Sequence, residues 1–177
     1  MSFERVGSEE VWNGRIASVR NDRFRHDDGE VVEREIVSHP GAVAVVAHDG
    51  EHLWLVRQPR EPVDDYLLEL PAGKLDEEGE EPLATAKREL AEEVGKAAKT
   101  WQHLTTFYSS PGFSDEQIHV YLATDLYDKQ AHTDEIERIE IVKVPLAEID
   151  DVIRANRDSK TIVGLLWFRA FGGGSPA

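Results

Sequence analysis

Three glutamates carry the clearest chemical signal in the sequence. Glu89, Glu92 and Glu93 stand three and four positions apart in ELAEEVGK, a spacing that places side chains next to one another on one face of a helix. Like charges at that spacing repel by roughly 0.2–0.5 kcal/mol per pair when exposed, and by more where the face is partly buried. Two readings fit the pattern. A charge run on a helix is ordinarily a solvated face. Clustered carboxylates with few amide or sulfur ligands nearby are also the donor set of a hard divalent cation, Mg²⁺ or Mn²⁺ above all. Lys87 and Arg88 are the nearby cations that could supply part of the counter-charge.

The helix that must position these groups is marked at both ends. Pro82 stands in the first turn, where its missing N–H costs little. Leu83, Ala84, Ala86, Leu90, Ala91 and Val94 form the apolar stripe, and Gly95 closes the helix. Ahead of it lie a Pro71-Ala72-Gly73 turn and an acidic loop.

Gly73, Glu80, Arg88, Glu89, Leu90, Glu92, Glu93 and Gly95 together resemble the Nudix box: a glycine, a spaced glutamate, then Arg-Glu-apolar-x-Glu-Glu-x-Gly. Two departures stand out. Six residues rather than the usual five separate Gly73 from Glu80, a lengthening that a loop absorbs. Lys96 follows Gly95 where the pattern has an apolar residue; at the end of a helix a cation is favoured by the helix dipole. Neither change removes a carboxylate.

The chain has 177 residues, 40% of them hydrophobic, enough for one full core and too few for two comfortable domains. It has no cysteine, which rules out disulfides, thiolate metal sites and a cysteine nucleophile. A net charge of −15 argues against general nucleic-acid or anionic-membrane binding, which calls for a basic surface. No apolar run reaches membrane-spanning length, and MSFERVGSEE lacks the blocks of a signal peptide, so a cytoplasmic protein is expected.

The remaining elements follow from periodicity and turn residues. VWNGRIASVRNDRF, a turn at HDDGE and VVEREIV read as a β-hairpin. It carries Arg15, Arg20, Arg23, Arg25 and Arg34, either solvated strand charges or groups for a phosphate or a partner subunit. Ala42 to His48 and Leu53 to Gln58, separated by Asp49-Gly50, are expected core strands. Arg57 and Arg60 stand at the exit of the second, suited equally to phosphate and to a salt bridge. Strands are expected from Trp101 to Tyr108, over IHVYLATDL and over IEIVKV, and helices over LAEIDDVIRANR and SKTIVGLLWFRAF, the second with Ile162, Leu165, Leu166 and Phe168 or Phe171 inward. His39, His48, His52, His103, His119 and His132 are scattered and read as ordinary surface or core histidines. There is no Walker loop, dinucleotide fingerprint or serine elbow.

This order implies an α/β (α+β) layered fold, with a mixed sheet between helices and an N-terminal β-hairpin extension. Residues 1–40 are expected to be N-terminal strands of the same domain, 41–171 the Nudix-like domain, and 172–177 a disordered tail.

Four further stretches, Val56 to Arg60, Leu68 to Gly73, Ser110 to Glu116 (SPGFSDE) and Asp134 to Glu137, resemble one branch of the family, the ADP-ribose pyrophosphatases. With the box they span about Glu33 to Val142. The resemblance implies Mg²⁺-dependent hydrolysis of ADP-ribose to AMP and ribose 5-phosphate. It implies metal ligands in Glu89, Glu93, the main-chain carbonyl of Ala72 and Glu137, with Glu92 beside them. Glu135 matches the general base, with Glu137 and Asp134 as the other candidates. Arg60 and Glu116 match substrate-binding residues, and Gly112 and Lys74 join that set. Arg34 and Glu35 match a pair lent across a homodimer interface. The alternatives are a pyrophosphatase of another nucleoside diphosphate sugar, such as GDP-mannose, and a sensor that binds ADP-ribose without cleaving it. The sensor is expected to lose box glutamates or add a DNA-binding domain, whereas this chain keeps every box glutamate and has no expected room for that domain.

Overall fold

The computed structural model describes residues 2–77, 79–130 and 138–172. The chain forms two compact units, Met1–Gly41 with Tyr108–Gln117, and Ala42–Phe107 with Ile118–Ala177.

The first unit is an antiparallel sheet of β1 (Phe3–Asn13), β2 (Ser18–His26) and β3 (Val31–Ser38), in that order. The expected hairpin is β2–β3. Its turn has Gly29 at φ 85°, and the Asp28 carboxylate accepts the Glu30 N–H. The first arm is shorter than its sequence suggested. The chain breaks at Gly14, whose N–H donates to the Ala17 carbonyl, and the preceding residues fold back as β1. β1 is exposed along almost its whole length, so no buried face imposed the alternation by which strands are recognised. The loop after Tyr108 docks on β3: the Val37 N–H donates to the Phe113 carbonyl at 2.8 Å. Asp115 accepts from the His39 N–H, the Ser38 hydroxyl and Arg20 at 3.0–3.1 Å.

The second unit contains β4 (Ala42–His48), β5 (His52–Arg60), β6 (Asp65–Glu69), β7 (Ala72–Lys74), α1 (Pro82–Val94), β8 (Lys96–Tyr108), β9 (Gln117–Asp128), β10 (Glu140–Pro145), α2 (Ile149–Ala155) and α3 (Ser159–Phe171). Its mixed sheet runs β10-β5-β4-β9-β8, with β6 added to β5 and β7 to β4. β4 is parallel to β9 and antiparallel to β5 and β7. β4 is apolar throughout because both faces are covered. Val43, Val45 and Ala47 pack with Ala86, Leu90 and Val94 of α1, while Ala44 and Val46 pack with Ile149 of α2 and Leu165 of α3. The sheet is therefore sandwiched between helices, as its sequence implies. α3 lies tight on this sheet at Gly164, where a Cβ would come within 2.6 Å of Leu70 Cδ1.

α1 begins at Pro82 and ends at Gly95, a left-handed cap with φ 69° whose N–H donates to the Ala91 and Leu90 carbonyls. Lys96 therefore does not serve the helix end, contrary to expectation. The cap turns the chain away, and Lys96 opens β8, where it pairs with Asp128 and lies 4.5 Å from the Trp54 ring centroid. β8 consequently starts five residues before Trp101. Among the described residues no helix is long and apolar enough to cross a membrane. The C-terminal tail beyond Gly172 lies outside the described residues.

Candidate active site

The box carboxylates are organised by three elements: α1, the loop before it and β7. Glu93 is buried, 8% exposed, and its Oε2 accepts the Ala72 N–H at 2.9 Å. One turn earlier, Glu89 lies against Gly73 so closely that a Cβ on Gly73 would fall 1.9 Å from Glu89 Oε1. Glycine is required there by this approach of backbone and carboxylate. Two acids of one helix thus meet two consecutive residues of β7, and the Pro-Ala-Gly turn sets that meeting.

Arg88 supplies the counter-charge the glutamate spacing asked for. Its Nη1 donates to Glu89 at 2.8 Å and Glu92 at 3.0 Å, and its Nη2 pairs with Glu80 at 3.3 Å. Glu80 also accepts the hydroxyl of buried Thr85 at 2.9 Å. Burial acts to lower the Arg88 pKa, but the carboxylates of Glu80, Glu89 and Glu92 outweigh it and push it up. Arg88 therefore ties the acidic loop to the helix. Lys87 turns the other way, 6.0 Å from the Trp101 ring centroid.

The donors gathered here are carboxylates and peptide groups, the set suited to Mg²⁺ or Mn²⁺ and unsuited to soft metals. The Gly73 cradle receives Glu89, and Glu93 converges on the same turn, so the residues fit a hard cation. Among the described residues no three acidic or histidine side chains are already drawn together at metal-holding distances. Glu137, the remaining expected ligand, and Glu135 and Asp134, the candidate bases, lie outside the described residues.

Arg60, at the end of β5, grips Glu69 with a two-pronged contact, Nε and Nη2 each 2.7 Å from a carboxylate oxygen. Glu69 is fully buried. Burial alone would raise its pKa, yet hydrogen bonds from Arg60 and the charge of Lys160 hold it below the ordinary value. Lys160 bonds the same carboxylate and Asp158, and Asp158 caps α3 by accepting the Thr161 N–H at 2.9 Å. Sequence reasoning passed over Glu69 and Lys160. The available signal was an acid inside the apolar run YLLELP, which must find a cation when buried. Lys74 is exposed and pairs with Asp76 at 2.9 Å.

Within the smaller unit, β1, β2, β3 and the 108–115 loop line an open pocket of about 450 Å³. Arg34 and Gly112 line it together, with Arg20, Phe24, Tyr108 and Phe113. Glu35, one residue on, faces away from Arg34 because side chains alternate along a strand. Glu116 lies 3.4 Å from His39 Nδ1. Beneath the sheet's charges, Asp22 is fully buried. Burial would raise its pKa, but Ser8, Arg20 and Arg5 lower it. The cavity's aromatic walls were missed because Phe24, Tyr108 and Phe113 belong to separate stretches with no shared motif.

Residues 37–163 match the NUDIX domain family model. The chain is 47% identical over 139 residues to an ADP-ribose pyrophosphatase of Mycobacterium tuberculosis, covering 76% of this chain and 67% of that protein. It is 39% identical over 169 residues to a methanol dehydrogenase activator of Bacillus methanolicus, covering 93% and 91%. A solved ADP compounds hydrolase superposes with a TM-score of 0.84 at 25% identity, covering 96% of this chain and 94% of that one.

Proposed function

We propose a specific reaction from the premise that this chain belongs to the Nudix family and is one of its hydrolases: it hydrolyses the pyrophosphate bond of ADP-ribose, giving AMP and ribose 5-phosphate. The observation that carries the reading is the convergence of Glu89 and Glu93 on Ala72–Gly73. The substrate class rests on the name of the 47%-identical relative and on the branch stretches around Arg60 and Ser110 to Glu116.

Glu89, Glu93, the Ala72 carbonyl and Glu137 would hold Mg²⁺, or Mn²⁺, with Glu92 beside them. Bound there, the ion would stabilise negative charge on the diphosphate oxygens and acidify a water. Glu135 takes the proton from the attacking water. Arg60 neutralises a phosphate of the diphosphate, and Arg88 keeps α1 and the acidic loop together. In the smaller unit, Arg34, Gly112 and the aromatic walls suit a purine ring. Lys74, Glu35 and Glu116 complete the substrate set. The same reading takes residues 1–40 as an extension that lends Arg34 and Glu35 across a homodimer, in a cytoplasmic enzyme.

The test is a panel of nucleoside diphosphate sugars incubated with Mg²⁺, with products separated by chromatography. Release of AMP and ribose 5-phosphate, with the highest kcat/KM for ADP-ribose, is expected. Preference for GDP-mannose would move the specificity, and tight ADP-ribose binding without cleavage would make the chain a sensor. Within an active enzyme, Glu135→Gln lowers turnover with little change in Mg²⁺ dependence; unchanged turnover moves the base to Glu137 or Asp134.

A further inference from the structure

The start of α3 and the ends of β6 and β5 carry a line of charges outside the box. It runs Asp158, Lys160, Glu69, Arg60, alternating in sign. Asp158 accepts from Lys160 at 2.9 Å, Lys160 pairs with Glu69, and Glu69 receives the fork of Arg60. The inner members are withdrawn from water: Glu69 is fully buried and the Lys160 side chain is 12% exposed. Arg60, the outer end, is 41% exposed. The line is anchored at its inner end. Asp158 is bound by the Thr161 N–H and hydroxyl, and the Thr161 oxygen in turn accepts the Leu70 N–H at 2.9 Å. Asn156 donates to the Leu68 carbonyl at 2.8 Å.

An alternating line that ends on an exposed cation is completed by an anion. Were Glu69 to meet Arg60 alone, the pair would be neutral and its outer surface a poor partner for phosphate. Lys160 supplies a second cation to the same carboxylate, and the acid that balances it, Asp158, lies at the inner end of the line against the start of α3, so the positive charge of Arg60 is not fully cancelled where it faces solvent. We infer that Lys160 is a positioning residue for phosphate recognition: it holds Glu69, and through Glu69 it fixes the guanidinium of Arg60 and keeps it available to a phosphate group of the substrate. The inference rests on the reading of Arg60 as a phosphate-binding residue, and goes beyond it by assigning the residue that controls Arg60.

The test separates the two. Inorganic pyrophosphate is titrated calorimetrically, without metal, into wild type, Arg60→Ala, Lys160→Met and Lys160→Arg, so the result does not depend on whether ADP-ribose is a substrate. Lys160→Met is expected to bind about ten-fold more weakly, with a shallower salt dependence, from the loss of one nearby charge. Lys160→Arg restores binding, and Arg60→Ala loses it. Circular dichroism and urea unfolding at pH 7 check that Lys160→Met is folded. Should it not be, Lys160→Gln, which keeps an amide donor for Glu69 while removing the charge, takes its place and must show the same weakening. If the enzyme cleaves ADP-ribose, Lys160→Met raises KM about ten-fold with kcat within about two-fold. A folded Lys160→Met or Lys160→Gln variant that binds pyrophosphate like wild type overturns the inference. So does a Lys160→Arg variant no better than Lys160→Met, or a wild type that binds no pyrophosphate. Absence of ADP-ribose cleavage with the expected pyrophosphate series would overturn the substrate reading alone.

Discussion

The larger unit handles charge in two opposite ways. On α1 and the loop before it, the single guanidinium of Arg88 serves Glu80, Glu89 and Glu92, with Glu93 one turn further along the helix. From α3 to β5, two acids and two bases alternate, each acid between cations or against a helix start. Among the described residues the first arrangement sets three carboxylates on one guanidinium, whereas the second is balanced in sign and presents a partly exposed cation at its outer end. Under the proposed function the first suits a divalent metal ion and the second a phosphate.

The largest expected effect comes from reducing the excess on α1. Glu93→Gln keeps the volume and removes one carboxylate charge, so turnover of ADP-ribose at saturating Mg²⁺ falls by about 10²–10³-fold while the fold persists by circular dichroism. A near wild-type rate breaks the contrast. Gly73→Ala leaves every charge in place and disturbs only position, since the new Cβ would overlap the Glu89 carboxylate. Turnover is expected to fall about 10²-fold, the scale of a one-ångström misplacement. An alanine variant as active as wild type would mean that the Glu89 position is immaterial.

Arg88→Met sharpens the comparison from the other side. Without its cation the α1 cluster becomes more repulsive, so the unfolding free energy in EDTA is expected to drop by about 1–2 kcal/mol, with part of the loss recovered by Mg²⁺. Equal losses with and without Mg²⁺ would show that the metal does not answer this repulsion. The smallest effect concerns the balanced line. Glu69 has its folded-state pKa below the ordinary 4.5, so its contribution to stability is present above that value and fades as pH falls below it. Urea unfolding between pH 7 and 3 is expected to show about 1 kcal/mol more acid-linked loss in wild type than in the Glu69→Gln, Lys160→Met double variant. Identical slopes would remove Glu69 from the balance.

How much of this was legible beforehand depended on whether neighbours in space were also neighbours in sequence. The α1 cluster was readable because a helix brings positions three and four apart together, and Arg88 lies inside the same window. The sandwich was readable from the unbroken apolar run of β4, which only a doubly covered strand sustains. The alternating line was not, because Glu69 and Lys160 are 91 residues apart and meet only once α3 is laid on the sheet at Gly164. Strand β1 escaped for a different reason: with almost all of its residues exposed it has no inward face to impose a period, and backbone pairing to β2 leaves no mark on composition. Lys96 was misplaced by one step of geometry, since a left-handed cap at Gly95 ends the helix and redirects the next side chain toward Trp54. Glu135 and Glu137 lie outside the described residues, so their proposed roles rest on the family resemblance of the Asp134 to Glu137 stretch alone.

Whether the carboxylates of α1 form a metal site is tested most directly by following the electron paramagnetic resonance signal of free Mn²⁺ during titration of wild type and Glu93→Gln without nucleotide. Wild type is expected to deplete the free-ion signal and Glu93→Gln to bind at least about ten-fold more weakly, the effect of one lost ligand charge. Equal affinity in the two proteins would contradict a metal site on α1.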